Sequence, residues 1–328
     1  MRRSARPVLA TGCALGLLGL LAGCSVGTVA DRGAGSPGAA ETSAAASDAF
    51  VPGRGDSSGL VDLGDGRELY LQCSGSGSPT VVLVSGAGVA ADDWEYVGDP
   101  TSTTDPAVPS GDAVYPQAAA SMRVCAYDRP GTEQMEGEPS RSTEVPQPTT
   151  SQDAASDLAA MLAAAEVDGP YIVVGHSWCG MVATTYAREH PEDVAGLVLV
   201  DPGSQYLQET LPPDVWAQWM ADIAKAGTAN PGGEAPDYPD SIAALAATPP
   251  LPSMPVAVLT ADRPFDYLGI GDATTYWPAW VEAQARLAES LGATHVTQTD
   301  SGHFIGNEHP ELVLEQVRAA GIMGTRSG

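Results

Sequence analysis

The sequence predicts an α/β fold with a mostly parallel, doubly wound sheet, and three observations carry that expectation. Short β-branched runs alternate with segments of helical period from about residue 79 onward. Two alternating runs precede them, as a hairpin at one edge of a sheet would. The polar motifs fall directly after expected strands, where sheets of this kind collect their ligands. These motifs are Ser85-Gly86-Ala87-Gly88, Asp128-Arg129-Pro130-Gly131, Ser177, Asp201 and His303.

Leu60 to Cys73 alternates on both sides of Gly64-Asp65-Gly66, which marks the hairpin turn. Pro79 to Ser85 and Met122 to Asp128 read as buried strands with no polar face. Ala and Leu at helical spacing run from about Thr149 to Val167, with Thr and Ser available as caps. A β-branched strand from Tyr171 leads into Gly175-His176-Ser177-Trp178-Cys179-Gly180, and helical spacing resumes to Glu189, where His190-Pro191 stops it. Val194–Val200 and Met254–Thr260 are further strands. A helix around Trp277–Leu291, a strand at residues 294–298 and a last helix near Pro310 complete the series. With 328 residues and 43% hydrophobic content there is ample material for one large domain, placed at residues 59–322.

Strand, tight turn carrying a serine, helix is the context a nucleophile elbow needs. Such a turn forces Ser177 into a strained backbone conformation, so its near neighbours must be small. Its hydroxyl then stands at the start of a helix, where backbone donors favour developing negative charge. The usual pattern is G-x-S-x-G; here Cys179 takes the second small position and Gly180 follows one place later.

The N-terminus reads as an export signal. Arg2, Arg3 and Arg6 form a positive region, and the apolar stretch from Pro7 to Leu21 is short for a bilayer span. Leu21-Ala22-Gly23-Cys24 resembles the bacterial lipobox, which implies cleavage after residue 23 and lipid on the Cys24 thiol. The chain would then be an extracytoplasmic, membrane-anchored lipoprotein, with the lipid on Cys24 as its sole membrane attachment. Residues 24–58, rich in Gly, Ala, Ser, Thr, Asp and Pro, read as a flexible tether.

Acidic residues outnumber basic ones 41 to 15, and three of the basic ones lie in the signal. Such a surface repels phosphates, so nucleic acid is not an expected partner. No Cys/His spacing suggests a metal, and no cofactor is expected.

The domain from about residue 58 to 320 resembles the α/β-hydrolase fold. It is similar in particular to bacterial hydrolases with a D-R-P-G turn, a G-H-S elbow, V-D at the end of the next strand and S-G-H-F near the C-terminus. The order Ser177, Asp201, His303 matches the family's nucleophile, acid and histidine. Of the five histidines, His303 is the one in a glycine-preceded loop after the last strand, free to serve as base to Ser177. The acid stays open: Asp201 ends the strand after the elbow, while Asp262 and Asp266 follow the next strand, where most members carry it. The resemblance further implies an oxyanion hole from the backbone amides of Trp178 and Ala87, with Ser85-Gly86-Ala87 standing where many relatives have H-G-x. Asp128-Arg129-Pro130-Gly131 reads as a structural turn, with Arg129 also a candidate substrate ligand. In this fold Cys73 and Cys125 lie on neighbouring strands, so a disulfide is expected between them, with Cys179 left reduced. The resemblance also places a small helical lid at about residues 204–252, whose Trp216, Trp219 and Met220 either line an acyl pocket or pack the lid down.

The expected activity is that of a serine hydrolase cleaving a small or medium carboxylic ester through an acyl-Ser177 intermediate. A peptidase or amidase of the proline iminopeptidase type is one alternative. An inactive surface-tethered binding protein is the other, favoured by Cys179 in the elbow, Ser85 in the H-G position and the ambiguous acid. A dehalogenase or epoxide hydrolase is disfavoured, since those relatives use aspartate where this chain has Ser177. The partner in either catalytic case is a small-molecule ester or amide.

Overall fold

A computed structural model describes residues 49–53, 55–265 and 273–324. The expected signal segment, the lipid site Cys24 and the tether up to residue 48 lie outside the described residues, as does Asp266.

Eight strands form one sheet: β1 (Ser57–Gly64), β2 (Arg67–Ser74), β3 (Thr80–Val84), β4 (Val124–Tyr127), β5 (Tyr171–His176), β6 (Val194–Val200), β7 (Val256–Leu259) and β8 (Thr294–Val296). Their order is β1-β2-β4-β3-β5-β6-β7-β8. β2 is antiparallel to both of its neighbours, and every other pairing is parallel. Strand order reverses around β3, so the loops leaving β3 and β5 emerge side by side. Val84 and Gly175 are register partners. This is the switch point at which such sheets open a crevice.

The alternation within the strands builds two cores. Val82, Val84, Val173, Leu197 and Leu199 face α2 (Ser151–Ala164), α3 (Cys179–Glu189) and α7 (Ala273–Leu291). Val81, Leu83, Ile172, Val174, Val198 and Val200 face α1 (Val114–Ala119) and α9 (Pro310–Gly324). With both faces covered, the central strands keep polar residues only at their ends, such as Thr80 and His176, which is why they read as nearly continuous apolar runs. α2 opens with a reciprocal capping box between Thr150 and Asp153. Between β6 and β7 lies an insertion of three helices, α4 (Leu207–Thr210), α5 (Pro213–Ala229) and α6 (Tyr238–Ala247). Trp219 is buried there against Tyr238, ring centroids 4.6 Å apart, with Trp216 edge-on to both. One further short helix, α8 (Ile305–Glu308), precedes α9.

Two expectations need correction. The tether does not run to Ser58: Phe50 is buried, its amide donates to Leu60 O at 3.0 Å, and β1 begins at Ser57. Phe50 is the bulky apolar side chain in this small-residue stretch, and Val51 N, which donates to Ser57 Oγ at 3.0 Å, helps to dock it. α7 starts at Ala273, ahead of Pro278, which sits inside the helix. Cys73 and Cys125 face each other across β2 and β4 and form a disulfide. Closing a loop of 52 residues stabilises the fold by about 4 kcal/mol in the chain-entropy picture.

Candidate active site

Ser177 sits immediately after β5 with φ 56°, a left-handed conformation that L-residues adopt only when the surroundings impose it. Its amide donates to Val200 O at 3.0 Å, and its carbonyl accepts from Gly180 N and Gly203 N at 2.9 and 2.7 Å. The glycines are steric necessities. A Cβ on Gly175 would come 2.3 Å from Cys179 O, and one on Gly180 would come 2.4 Å from Pro202 Cβ. Close packing falls on Gly180, so Cys179 is tolerated at the intervening position, where it is fully buried as the first residue of α3. Burial pushes its thiol up to about 12, keeping it protonated and inert.

Asp201 follows β6, also at positive φ (39°), and is fully buried. Four donors surround its carboxylate. His303 Nδ1 lies 2.6 Å from Oδ2, and Trp280 Nε1 donates to the same oxygen at 3.1 Å. Oδ1 accepts from Ala261 N at 3.0 Å and Gln284 Nε2 at 2.8 Å. Trp280 and Gln284, one helical turn apart on α7, were not singled out from the sequence; the available signal was a glutamine inside the buried stripe of Ala283 and Leu287.

His303 reaches Asp201 from the loop after β8. Phe265, Phe304, Trp280 and His176 surround its ring at 4.7–5.9 Å between centroids. Asp262 does not touch it. Its carboxylate accepts from Thr299 N and Ser301 N, so it shapes the loop that presents His303. Asp266 lies outside the described residues. His176 points inward: its Nε2 meets His303 O at 3.0 Å, and burial, reinforced by the neighbouring His303, pulls its pKa down to about 3. It is therefore a neutral histidine that braces the His303 loop, and it lines the same cavity as Ser177 and His303.

Ser177, His303, Gly86 and Ala87 line one cavity of about 460 Å³ with Val89, Phe265 and Phe304, and Asp99, Thr101 and Glu308 add polar groups. A Cβ on Gly86 would come 3.3 Å from Ser177 Cβ, which places the β3 loop directly against the elbow. Among the described residues, neither the Ala87 nor the Trp178 amide has a backbone acceptor. Trp216, Trp219 and Met220 do not line this cavity; they pack within the insertion. Arg129, a candidate substrate ligand from sequence, is turned away into the protein. It donates to Ser85 O, Gly86 O and the carboxylate of Glu234, a residue the sequence gave no reason to select.

A family model described as the alpha/beta hydrolase family matches residues 81–316. The chain belongs to the alpha/beta hydrolase family. Among curated proteins it is 29% identical over 167 residues to "Probable transporter efuK" of Hormonema carpetanum, covering 48% of this chain and 21% of that protein. It is 30% identical over 147 residues to an uncharacterised Schizosaccharomyces pombe protein, covering 42% of this chain and 26% of that one. The chain thus spans about a quarter or less of the length of these relatives. Several solved structures share its fold over nearly their whole length. An esterase from Thermogutta terrifontis is 20% identical, with a TM-score of 0.50 over 81% of this chain and 99% of that one. A hydrolase from Pseudomonas aeruginosa gives 19% and 0.53 over 80% and 97%. Est816, described as an N-acyl homoserine lactone degrading enzyme, gives 20% and 0.52 over 79% and 99%. At these identities the likeness is one of fold. In this alpha/beta hydrolase Ser177, Asp201 and His303 follow one another along the chain, after β5, β6 and β8.

Proposed function

We propose that this family member is a serine hydrolase acting on small or medium carboxylic esters, with Ser177 as nucleophile, His303 as base and Asp201 as acid. The observation that carries the reading is the 2.6 Å contact from His303 Nδ1 to Asp201 Oδ2 at the edge of the cavity that Ser177 lines. With Nδ1–H donating a hydrogen bond to a buried carboxylate, the neutral ring keeps Nε2 as its acceptor. Nε2 takes the Ser177 hydroxyl proton as Oγ bonds to the ester carbonyl carbon. The carbonyl oxygen becomes an oxyanion facing the Ala87 and Trp178 amides. Collapse breaks the bond to the alkoxy group, which leaves as the alcohol with the proton from the imidazolium. Water then repeats the sequence on the acyl-Ser177 ester and releases the acid.

The cavity size suits a short or medium acyl chain, and its phenylalanines suit an apolar one. Hydrolysis of p-nitrophenyl acetate, butyrate and octanoate by the purified protein, beside Ser177→Ala, is the test. Turnover that disappears in the variant is expected; turnover that survives would remove Ser177 from the role. Attachment outside the cytoplasm through lipid on Cys24 belongs to the same proposal, supported by the signal-like N-terminus and a disulfide suited to an oxidising compartment. Metabolic palmitate labelling that Cys24→Ala fails to abolish would argue against it.

A further inference from the structure

Arg129 is buried beneath the loop that follows β3. Its Nη1 donates to Ser85 O at 2.9 Å and its Nη2 to Gly86 O at 2.6 Å. Its Nε and Nη2 bind the two oxygens of Glu234 at 2.7 and 2.9 Å, and both side chains are 2% exposed. Glu234 Oε2 also accepts from Gly88 N at 2.6 Å. Ser85, Gly86 and Gly88 are therefore fixed from one side by a cation and a carboxylate, and Ala87 is the residue held between them. Glu234 comes from the link between α5 and α6, and its own amide donates to Gly131 O at 2.8 Å in the turn that follows Arg129.

The Gly86 carbonyl and the Ala87 N–H belong to one planar peptide. In a trans peptide these two groups point in opposite directions. Holding the oxygen on Arg129 aims the Ala87 amide away from the guanidinium. A cation on the carbonyl also draws electron density from the nitrogen and strengthens the N–H as a donor. We propose that Arg129 and Glu234 are the positioning residues of the oxyanion hole, so that the insertion, through Glu234, completes a catalytic element of the sheet. The chemistry of this assignment rests on the acyl-Ser177 reading; the anchoring of the loop does not.

The test uses the full-length protein, Glu234→Gln, and the double variant Arg129→Met/Glu234→Leu, which leaves no unpaired buried charge. Amide hydrogen exchange reads the loop without turnover. Exchange at residues 85–89 is expected to accelerate at least about tenfold in the double variant, where Gly88 loses its acceptor, and by less in Glu234→Gln, whose amide oxygen can still accept from Gly88, with β5 and α2 unchanged in both. Kinetics read the hole. An oxyester needs its oxygen stabilised, whereas the sulfur of the matching thionoester is a poor acceptor. The oxyester kcat is expected to fall about 10–100-fold, the thionoester kcat only a few-fold, and KM little in either case. Unchanged exchange in the loop, or both esters falling in step, overturns the assignment. A wild type without turnover whose loop still responds would instead sink the acyl-Ser177 reading, and the oxyanion role with it, leaving Arg129 and Glu234 as a loop latch only.

Discussion

Asp201 and Glu234 are two buried carboxylates in which both oxygens are engaged, yet they belong to different halves of the molecule. Asp201 ends a central strand, and its donors come from β7's end, α7 and the histidine loop. Glu234 lies in the insertion, and its donors are Arg129 and Gly88, on loops leaving the sheet. On the roles proposed above, the acid–base half of the site is built into the doubly wound core, while the oxyanion half is finished from outside it. The difference teaches that position in the fold separates chemistry from stability. Damage at Asp201 should fall on rate, whereas damage at Arg129 or Glu234 should fall on rate and folding together unless both charges go.

The largest expected effect breaks the first half. Asp201→Asn should lower kcat/KM for a p-nitrophenyl ester by about 10⁴-fold, because the histidine loses the partner that fixes its tautomer. Asp262→Asn, which disturbs only the turn beneath His303, should cost less than about tenfold. Equal losses would reassign the acid. The next effect breaks the second half. Arg129→Met strands Glu234 as an unpaired buried charge and should cost about 3–5 kcal/mol in urea unfolding. The Arg129→Met/Glu234→Leu pair should return to within about 1–2 kcal/mol of the parent. A double variant as unstable as the single would mean that packing, not charge, dominates there.

Buried ionisable groups without such a set of donors sharpen the contrast through pH. Burial raises Asp93 from its usual 3.8 to about 7; its carboxylate meets Asn307 Nδ2 at 3.1 Å. Because the folded protein holds this proton more tightly than the unfolded chain, stability falls as pH rises between about 4 and 7. Asp93→Asn should therefore gain up to about 4 kcal/mol at pH 8 and little at pH 4. His176 acts in the opposite sense. Held near 3 against an ordinary 6.5, it contributes stability that is complete above about pH 6.5 and drains as acid is added toward pH 3. Urea melts of Asp93→Asn and its parent at several pH values separate the two slopes. The smallest effect lies at the surface. Arg286→Gln removes exposed pairs with Glu209 and Glu282 and should shift stability by less than about 0.5 kcal/mol.

The sheet and the elbow were legible in the sequence because they rest on local rules. A strand buried on both faces shows as a β-branched run, and a strained nucleophile turn demands glycine at Gly175 and Gly180. Ser177 and Asp201 could be picked out because each sits just past a strand end, and His303 because it lies in a glycine-preceded loop after the last strand. The choice between Asp201 and Asp262 could not be read, since it depends on the direction in which each side chain leaves its strand. Asp201 turns toward His303 at positive φ, and Asp262 reaches across to the amides of Thr299 and Ser301 in the loop before His303. Trp280 and Gln284 were obscured because a buried glutamine at helical spacing looks like a flaw in an apolar stripe until its acceptor is known. Glu234 was the least legible. It stands in an irregular link with no period, and its meaning comes from a partner 105 residues away.

The disulfide has a mechanical consequence. Tension applied to the N-terminal side of the chain unzips β1 from β2 one rung at a time, since that strand is an edge and its hydrogen bonds are loaded singly. The same force then strips the first rungs of β2 from β4 and arrives at Cys73, whose bond to Cys125 passes the load to a strand clamped in the interior of the sheet. Ser177, Asp201 and His303 all lie beyond this stop, so a pull strong enough to fray the edge leaves them in register.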